Sequence, residues 1–220
     1  MHRWATCWIA SIFMLAAFTS PSWSQPGCPT NSVGCWGGGS ITSDLPQGSC
    51  NTGMATASYD AALGTVNANF CCWFGGSSVR VEDDFIVSNV PPNTPLALRA
   101  TLQISLCCSS QSSGGSNGHA KISGPGGTTR TASASAYHGT SECQTAPLDL
   151  PIQASAGQPF RISYEVSTSV TEGGGSGSRG QLVFQDLPPG ASIRSCHGFG
   201  QDFPVPARAV SWGGVKLLYR

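Results

Sequence analysis

Apolar and polar residues alternate with a period of two along several stretches of this chain. The longest stretch spans residues 96–106, where every second side chain is aliphatic. The same alternation occurs over 66–74, 79–87, 148–152 and 160–166. It is typical of strands that bury one face and expose the other, and no window favours an amphipathic helix. The pattern therefore predicts an all-β fold of antiparallel sheets, a jelly-roll-like β-sandwich.

Turn-forming residues separate the predicted strands, most clearly in the Pro-rich segments 90–93 and 187–190. Two Ser/Gly tracts, residues 109–118 and 173–180, lack apolar alternation, so we expect both to be mobile, solvated loops. Residues 215–219 alternate again and could form a last strand.

The start of the chain has the three parts of an export signal. A basic beginning precedes an apolar run from Trp8 to Phe18, and Ser22 and Ser24 lie three residues and one residue before a cut at Gln25. The apolar run is about 11 residues long, which is too short to span a bilayer. We therefore expect a secreted or periplasmic protein with no membrane span once the signal is removed.

The remaining chain divides into two parts. Residues 25–55 are rich in Cys, Gly, Pro and Thr and show little periodicity, so we expect an irregular segment tied down by disulfides. The predicted organisation is a signal peptide at 1–24, this N-terminal segment at 25–55, and a β-sandwich domain at 56–220.

Charge excludes one class of partner. The chain has 11 Lys and Arg against 11 Asp and Glu, and it contains no basic run. A near-neutral surface has no general attraction for phosphate backbones, so we expect no nucleic-acid partner.

Cysteine is abundant, with ten residues in the chain. Cys7 leaves with the predicted signal, and in an exported protein the others are expected to form disulfides. An odd number remains, so at least one thiol is unpaired or could link two chains in a disulfide-bonded dimer. The remaining cysteines are Cys28, Cys35, Cys50, Cys71, Cys72, Cys107, Cys108, Cys143 and Cys196.

Two adjacent pairs, Cys71-Cys72 and Cys107-Cys108, have matching positions on their predicted strands, with the second cysteine of each facing inward. If those strands are neighbours, Cys72 can bond Cys108 and Cys71 can bond Cys107. The alternative is a single bridge here, with Cys50, Cys143 and Cys196 taking the other partners. Cys28 and Cys35 are close enough in sequence to pair locally.

Candidate sites for metals are weak. His119, His138, Cys143, Cys196 and His197 do not show the pair-of-pairs spacing of zinc ligands, and thiols of exported proteins favour disulfides. We therefore predict no metal and no cofactor.

Two features could carry chemistry or binding. Glu82 and Asp84 share one strand face at about 6.5–7 Å, a separation compatible with a glycosidase carboxylate pair, although a solvated strand face explains them as well. Trp73 falls on the polar face of its strand by register, where an exposed indole could stack on a sugar ring.

The phrases VEDDFIVSN (81–89), AGQPFRISYEVST (156–168) and LVFQDLPPGASIRSCHGFG (182–200) have a familiar outline. The chain resembles secreted β-sandwich proteins of Gram-negative bacteria, relatives of proteins that carry an exosortase-type sorting tail. Its end, SWGGVKLLYR, lacks that tail. The resemblance implies an exported β-sandwich and supplies no activity.

These observations favour a non-enzymatic extracellular domain that is structural or that binds glycans or cell-surface material, with Trp73 as the candidate binding residue. The alternative is a glycoside hydrolase-like enzyme that uses Glu82 and Asp84 on the same scaffold.

Overall fold

The computed structural model describes residues 27–36, 39–72, 74–111 and 114–203. Within these residues the chain forms strands and one short 3₁₀ turn, Pro125–Gly127. The strands are β1 (Asn31–Cys35), β2 (Gly39–Ser43), β3 (Gln47–Asn51), β4 (Ala55–Asp60), β5 (Thr65–Cys71), β6 (Phe74–Ser88), β7 (Pro95–Ser110), β8 (Gly115–Ser123), β9 (Thr129–Tyr137), β10 (Ser141–Ser155), β11 (Phe160–Thr171), β12 (Gly174–Gln185), β13 (Ser192–Ser195) and β14 (Gly200–Asp202).

The strands form two antiparallel sheets that pack face to face. The six-stranded sheet has the order β10-β7-β12-β5-β4-β3, and the eight-stranded sheet contains β14-β13-β6-β11-β8-β9 with β1 and β2 attached beside β6. Along the chain, the described strands change sheet eight times: between β2 and β3, β5 and β6, β6 and β7, β7 and β8, β9 and β10, β10 and β11, β11 and β12, and β12 and β13. Two antiparallel sheets packed face to face make an all-β sandwich, which confirms the predicted fold class.

An aromatic cluster fills one end of the core. Phe85 lies 5.1 Å from Phe184, 5.7 Å from Phe199 and 6.1 Å from Phe160 between ring centroids. All of these rings are buried, and the alternating aliphatic residues of β7 pack beside them. The predicted burial pattern of residues 96–106 is therefore confirmed.

The other end of the core is built from small polar residues. Ser176 and Ser178 of β12 are buried, and their hydroxyls donate to the carbonyl oxygens of Asn117 and Ser167 in the opposite sheet, at 2.8 and 3.0 Å. A side chain on Gly118 would come within 2.9 Å of the Ser178 hydroxyl. Small residues thus let the two sheets approach closely here.

This narrow end corrects the prediction that both Ser/Gly tracts are loops. Gly174–Gln185 is the central strand β12, paired with β5 and β7, and Gly115–Ser123 is β8. The prediction was wrong because the buried positions of these strands carry Ser and Gly, which produce no hydrophobic alternation.

The N-terminal segment is tied down by disulfides as predicted, with Cys28 bonded to Cys196 and Cys35 to Cys50. The predicted local Cys28–Cys35 bridge is therefore wrong. The segment is also less irregular than expected, since β1 and β2 extend the eight-stranded sheet and β3 extends the other.

The proposed bridges between the two adjacent cysteine pairs are also wrong. Cys107 bonds Cys143, which lies directly opposite it in the β7–β10 register. Strand β12 separates β5 from β7, so Cys71 and Cys72 face neither Cys107 nor Cys108 across a strand pair. Cys108 is buried as predicted, but Cys72, which was predicted to face inward, is exposed just beyond β5, and the strands that carry the two pairs are not neighbours.

The predicted strand over 66–74 is interrupted. Strand β5 ends at Cys71, Cys72 has a positive φ of 89°, and β6 begins at Phe74. Trp73, the signal segment and residues 215–219 lie outside the described residues. Within the described ranges, no helix is long and apolar enough to cross a membrane.

Candidate functional site

The acidic cluster on β6 is held by arginines. Arg161 of β11 makes two hydrogen bonds to the Asp84 carboxylate, at 2.7 and 2.8 Å, and one to Glu82 at 3.2 Å. Arg80 adds a 2.9 Å contact to Glu82. Hydrogen bonds to Asp84 are the main reason that the pKa of Arg161 is raised. Glu82 and Asp84 thus share one guanidinium on an outer sheet face.

Replacing Arg161 by methionine is expected to lower the free energy of unfolding by less than about 1 kcal/mol, because the ion pairs are partly exposed and screened by water. The difference in unfolding free energy between wild type and Arg161→Met should be smaller still in molar salt, which screens the ion pairs. Urea unfolding at two salt concentrations measures both effects. A loss of several kcal/mol would show that Arg161 also supports the core.

Asp83, between these carboxylates in sequence, points the other way and is fully buried. It accepts hydrogen bonds from the Ser195 hydroxyl and from the His197 backbone N–H, the latter at 3.3 Å. Nδ1 of His197 lies 3.1 Å from Asp83 Oδ1, without the alignment of a hydrogen bond. A hydrolytic triad needs histidine between serine and aspartate. Here aspartate is central, and Asp83 and His197 are buried, so the group anchors β13 and the turn after it to β6.

This buried pair predicts a pH dependence of stability. Burial lowers the pKa of His197, but Asp83 and, more weakly, Asp44 outweigh burial, so the pKa is raised. A raised folded pKa contributes stability that is fully present below the unfolded value of about 6.5 and is lost as pH rises through the folded value. The stability difference between wild type and His197→Asn should therefore fall on alkalinisation. A difference that grows with pH would contradict this assignment.

An exposed aromatic ring lies on the outer face of the eight-stranded sheet. The ring of Tyr137, the last residue of β9, lies over Gly115 of β8. A Cβ at position 115 would come within 2.7 Å of the ring, so the ring can lie there only because residue 115 is glycine. Its hydroxyl donates to Asn117 Oδ1 at 3.1 Å, and the Ser135 hydroxyl donates to the same oxygen at 2.8 Å. Tyr137 is 51% exposed, so one ring face rests on the sheet and the other is open.

The turn after β9 fixes the position of this ring. The hydroxyl of Thr140 accepts from the Tyr137 N–H at 3.0 Å and donates to the Tyr137 carbonyl at 2.7 Å. Gly139, with a φ of 81°, supplies the left-handed backbone that this turn requires. Tyr137 is therefore held by its backbone as well as its hydroxyl.

A second aromatic group lies at the same end of the sheet. Trp36, just after β1, packs edge-on against Phe74 at 5.7 Å, and both are more than half exposed. Phe74 is opposite Thr171 on β11, and the Thr171 hydroxyl hydrogen-bonds the backbone of Gly115. We call Trp36, Phe74, Tyr137 and the residues between them the aromatic end.

The floor of the aromatic end consists of small and polar residues. Gly76, Ser169, Asn117 and Ser135 form the neighbouring register row across four strands. Phe74 and Tyr137 are three strand spacings apart, about 14 Å between backbones. Hydroxyl and amide groups thus lie between Tyr137 and Phe74, while Trp36 packs beside the buried Phe70, since both rings adjoin Gly75.

The outer face of the six-stranded sheet has a different character. It contains a shallow depression of about 340 Å³ lined by polar side chains, among them Asn67, Gln103, Arg179 and Gln181. The lining includes no aromatic ring, so this depression can form hydrogen bonds but offers no stacking surface.

Glu82 and Asp84 lie together on β6, away from the aromatic end. Glu82 lies eight residues beyond Phe74 on β6, about 27 Å along the strand. Trp73 lies outside the described residues. No group of three or more potential metal-ligating side chains occurs in the described part of the chain. Tyr137 was overlooked because β9 has only weak alternation, although a run of small polar residues ending in an outward Tyr was visible.

No protein-family model and no curated protein matches the chain. Three solved structures show weak likeness. TmCBM61 in complex with beta-1,4-galactotriose has a TM-score of 0.29 and 15% identity over 56% of this chain and 71% of that chain. The enzymatically active domain of bacteriophage CBA120 tailspike protein 4 has a TM-score of 0.22 and 7% identity over 64% of this chain and 19% of that chain. A chain in the structure of the infectious bursal disease virus Gx strain has a TM-score of 0.20 and 13% identity over 78% of this chain and 51% of that chain. At these TM-scores the likeness carries no argument about function.

Proposed function

We propose that the protein is an exported, non-enzymatic β-sandwich that binds glycans at the aromatic end of its eight-stranded sheet. The observation that carries this proposal is the open ring face of Tyr137, held across Gly115 by its hydroxyl bond to Asn117. A fixed, half-exposed aromatic ring can pack against the apolar C–H face of a sugar with little loss of side-chain entropy.

The surroundings of the ring suit a sugar better than an apolar ligand. Thr171, Ser169 and Ser135 place hydroxyl groups across the neighbouring strands, and Asn117 adds an amide. Such groups donate and accept hydrogen bonds, as sugar hydroxyls do. Because the surface is open and shallow, we expect it to take an extended glycan chain rather than a single small molecule.

Export is part of the proposal and agrees with the disulfides. Three disulfides in one domain are typical of proteins that fold in the periplasm or outside the cell. A glycan-binding surface would meet polysaccharides of envelopes or cell surfaces in those compartments.

Retention of the purified protein on a panel of polysaccharides, immobilised and as insoluble particles, tests this function. We expect Tyr137→Ala to weaken binding of the retained glycan at least about tenfold, since central aromatic contacts dominate such interfaces. Tyr137→Phe should keep most of the affinity because the ring remains. All variants should show an unchanged melting temperature if the ring acts on the ligand alone.

Leu63→Ala is the matched control, because Leu63 is also a large exposed side chain but lies in the turn between β4 and β5. Equal losses for Tyr137→Ala and Leu63→Ala, or no retention on any polysaccharide, would overturn the proposal.

A further inference from the structure

Three cysteines of the described residues are not in the disulfides of the structure. Cys71 and Cys72 are exposed and adjacent, whereas Cys108 is buried. The question is which of them remain thiols in an oxidising compartment.

Cys108 is isolated in the core. Its sulfur lies 3.4 Å from the Ser176 hydroxyl and 3.4 Å from the Ala134 carbonyl oxygen, and only 2% of the residue is exposed. It faces inward, whereas Cys71 and Cys72 are exposed where β5 ends. Cys108 is therefore out of reach of another chain and of the other two thiols.

The Cys71-Cys72 pair occupies a sharp turn of the backbone. The Cys71 N–H donates to the Met54 carbonyl at 3.0 Å, and the Cys72 N–H donates to the Gly174 carbonyl at 2.7 Å. Cys72 has a φ of 89°, which non-glycine residues adopt uncommonly. A hydrogen bond between the two thiols is the main reason that the pKa of Cys71 is raised. Two adjacent, exposed thiols therefore lie on a backbone that is fixed on both sides.

We propose that Cys71 and Cys72 form a vicinal disulfide that locks the chain where it leaves β5 for β6, with Cys108 as the remaining thiol. Both exposed sulfurs are then bonded within one chain. This replaces the expected dimer through an odd cysteine, because the unpaired thiol is the buried one.

The bond forms by thiol–disulfide exchange. The thiolate of one cysteine attacks the disulfide of an oxidant, either a thiol oxidoreductase or a small-molecule disulfide, and releases one of its thiols. The second cysteine then attacks the mixed disulfide and releases the other thiol. The pair loses two hydrogens and two electrons, and the oxidant gains them as a dithiol or two thiols.

Peptide mapping of the oxidised wild-type protein tests the proposal directly. The protein is exported into the periplasm of an expression host and unfolded without reductant in the presence of an alkylating agent, which labels every free thiol. After acid quenching it is cut with chymotrypsin after Phe70 and Trp73. We expect the Cys71–Trp73 tripeptide without alkyl groups and two hydrogens lighter than the dithiol form. The peptide that contains Cys107 and Cys108 should be linked to the Cys143 peptide and should carry one alkyl group, on Cys108. Two alkyl groups on the tripeptide, or its attachment to another peptide, would overturn the proposal.

A single variant gives an independent readout on the folded protein. Cys71→Ser should leave Cys72 as an exposed thiol that reacts at once with a disulfide reagent and yields a disulfide-linked dimer on a non-reducing gel. Wild type and the matched control Cys108→Ser should show neither property. Fast-reacting thiols in folded wild type, or a wild-type dimer that reductant dissolves, would contradict the vicinal bond.

Discussion

Replacing both Cys28 and Cys196 by serine is expected to lower the free energy of unfolding by about 5 kcal/mol. The bridge spans 168 residues, and closing so long a loop removes more entropy from the unfolded chain than either of the other disulfides does. Domains of this kind have about 5–15 kcal/mol in total, so the variant should be close to its stability limit at 37 °C. Equilibrium urea unfolding under oxidising conditions measures the loss.

The other two disulfides are internal controls for this effect. The Cys107–Cys143 bridge spans 36 residues and the Cys35–Cys50 bridge 15, so serine replacements should cost about 4 and about 3 kcal/mol. The expected order follows loop length alone. A loss at Cys28–Cys196 that is smaller than the loss at Cys35–Cys50 would show that the N-terminal segment contributes little to the fold.

Phe85→Ala is expected to cost about 3–5 kcal/mol, because it removes the ring that touches three others at the centre of the aromatic cluster. For a domain of this size the melting temperature should fall by roughly 10 °C. Calorimetry or circular dichroism on heating measures the shift.

Phe85→Leu separates the volume of the cavity from the loss of ring contacts, since it retains most of the apolar volume. We expect it to cost less than half as much as Phe85→Ala. Equal costs would indicate that ring geometry, rather than the filled volume, stabilises this end of the core.

Where the two sheets are held apart by large side chains, the fold could be predicted from the sequence. The aliphatic alternation of residues 96–106 identified β7, and the sum of such strands identified the sandwich. Where the sheets approach closely, prediction was wrong. In β12 the buried Ser176 and Ser178 hydrogen-bond to carbonyl oxygens of the facing sheet, and Gly180 leaves room for Leu102 and Val66 of the two neighbouring strands. A pattern along one strand contains neither kind of contact.

The candidate site could not be predicted for a related reason: the alternation pattern does not show which strands are neighbours in a sheet. The outward position of Tyr137 follows from the alternation of β9, but its support by Gly115 exists only because β8 lies beside it. The disulfide partners could not be predicted from positions along single strands either, because they depend on which strands are neighbours. Cys107 bonds Cys143 because β10 is its neighbour, and no local pattern names that neighbour.

The most direct test of the binding surface is hydrogen exchange measured by mass spectrometry with and without a retained glycan. Slower exchange is expected at the aromatic end, in segments 74–76, 115–117 and 135–138. Protection confined to 103–105 and 179–181, on the outer face of the six-stranded sheet, would contradict the account and place the glycan in the polar depression instead.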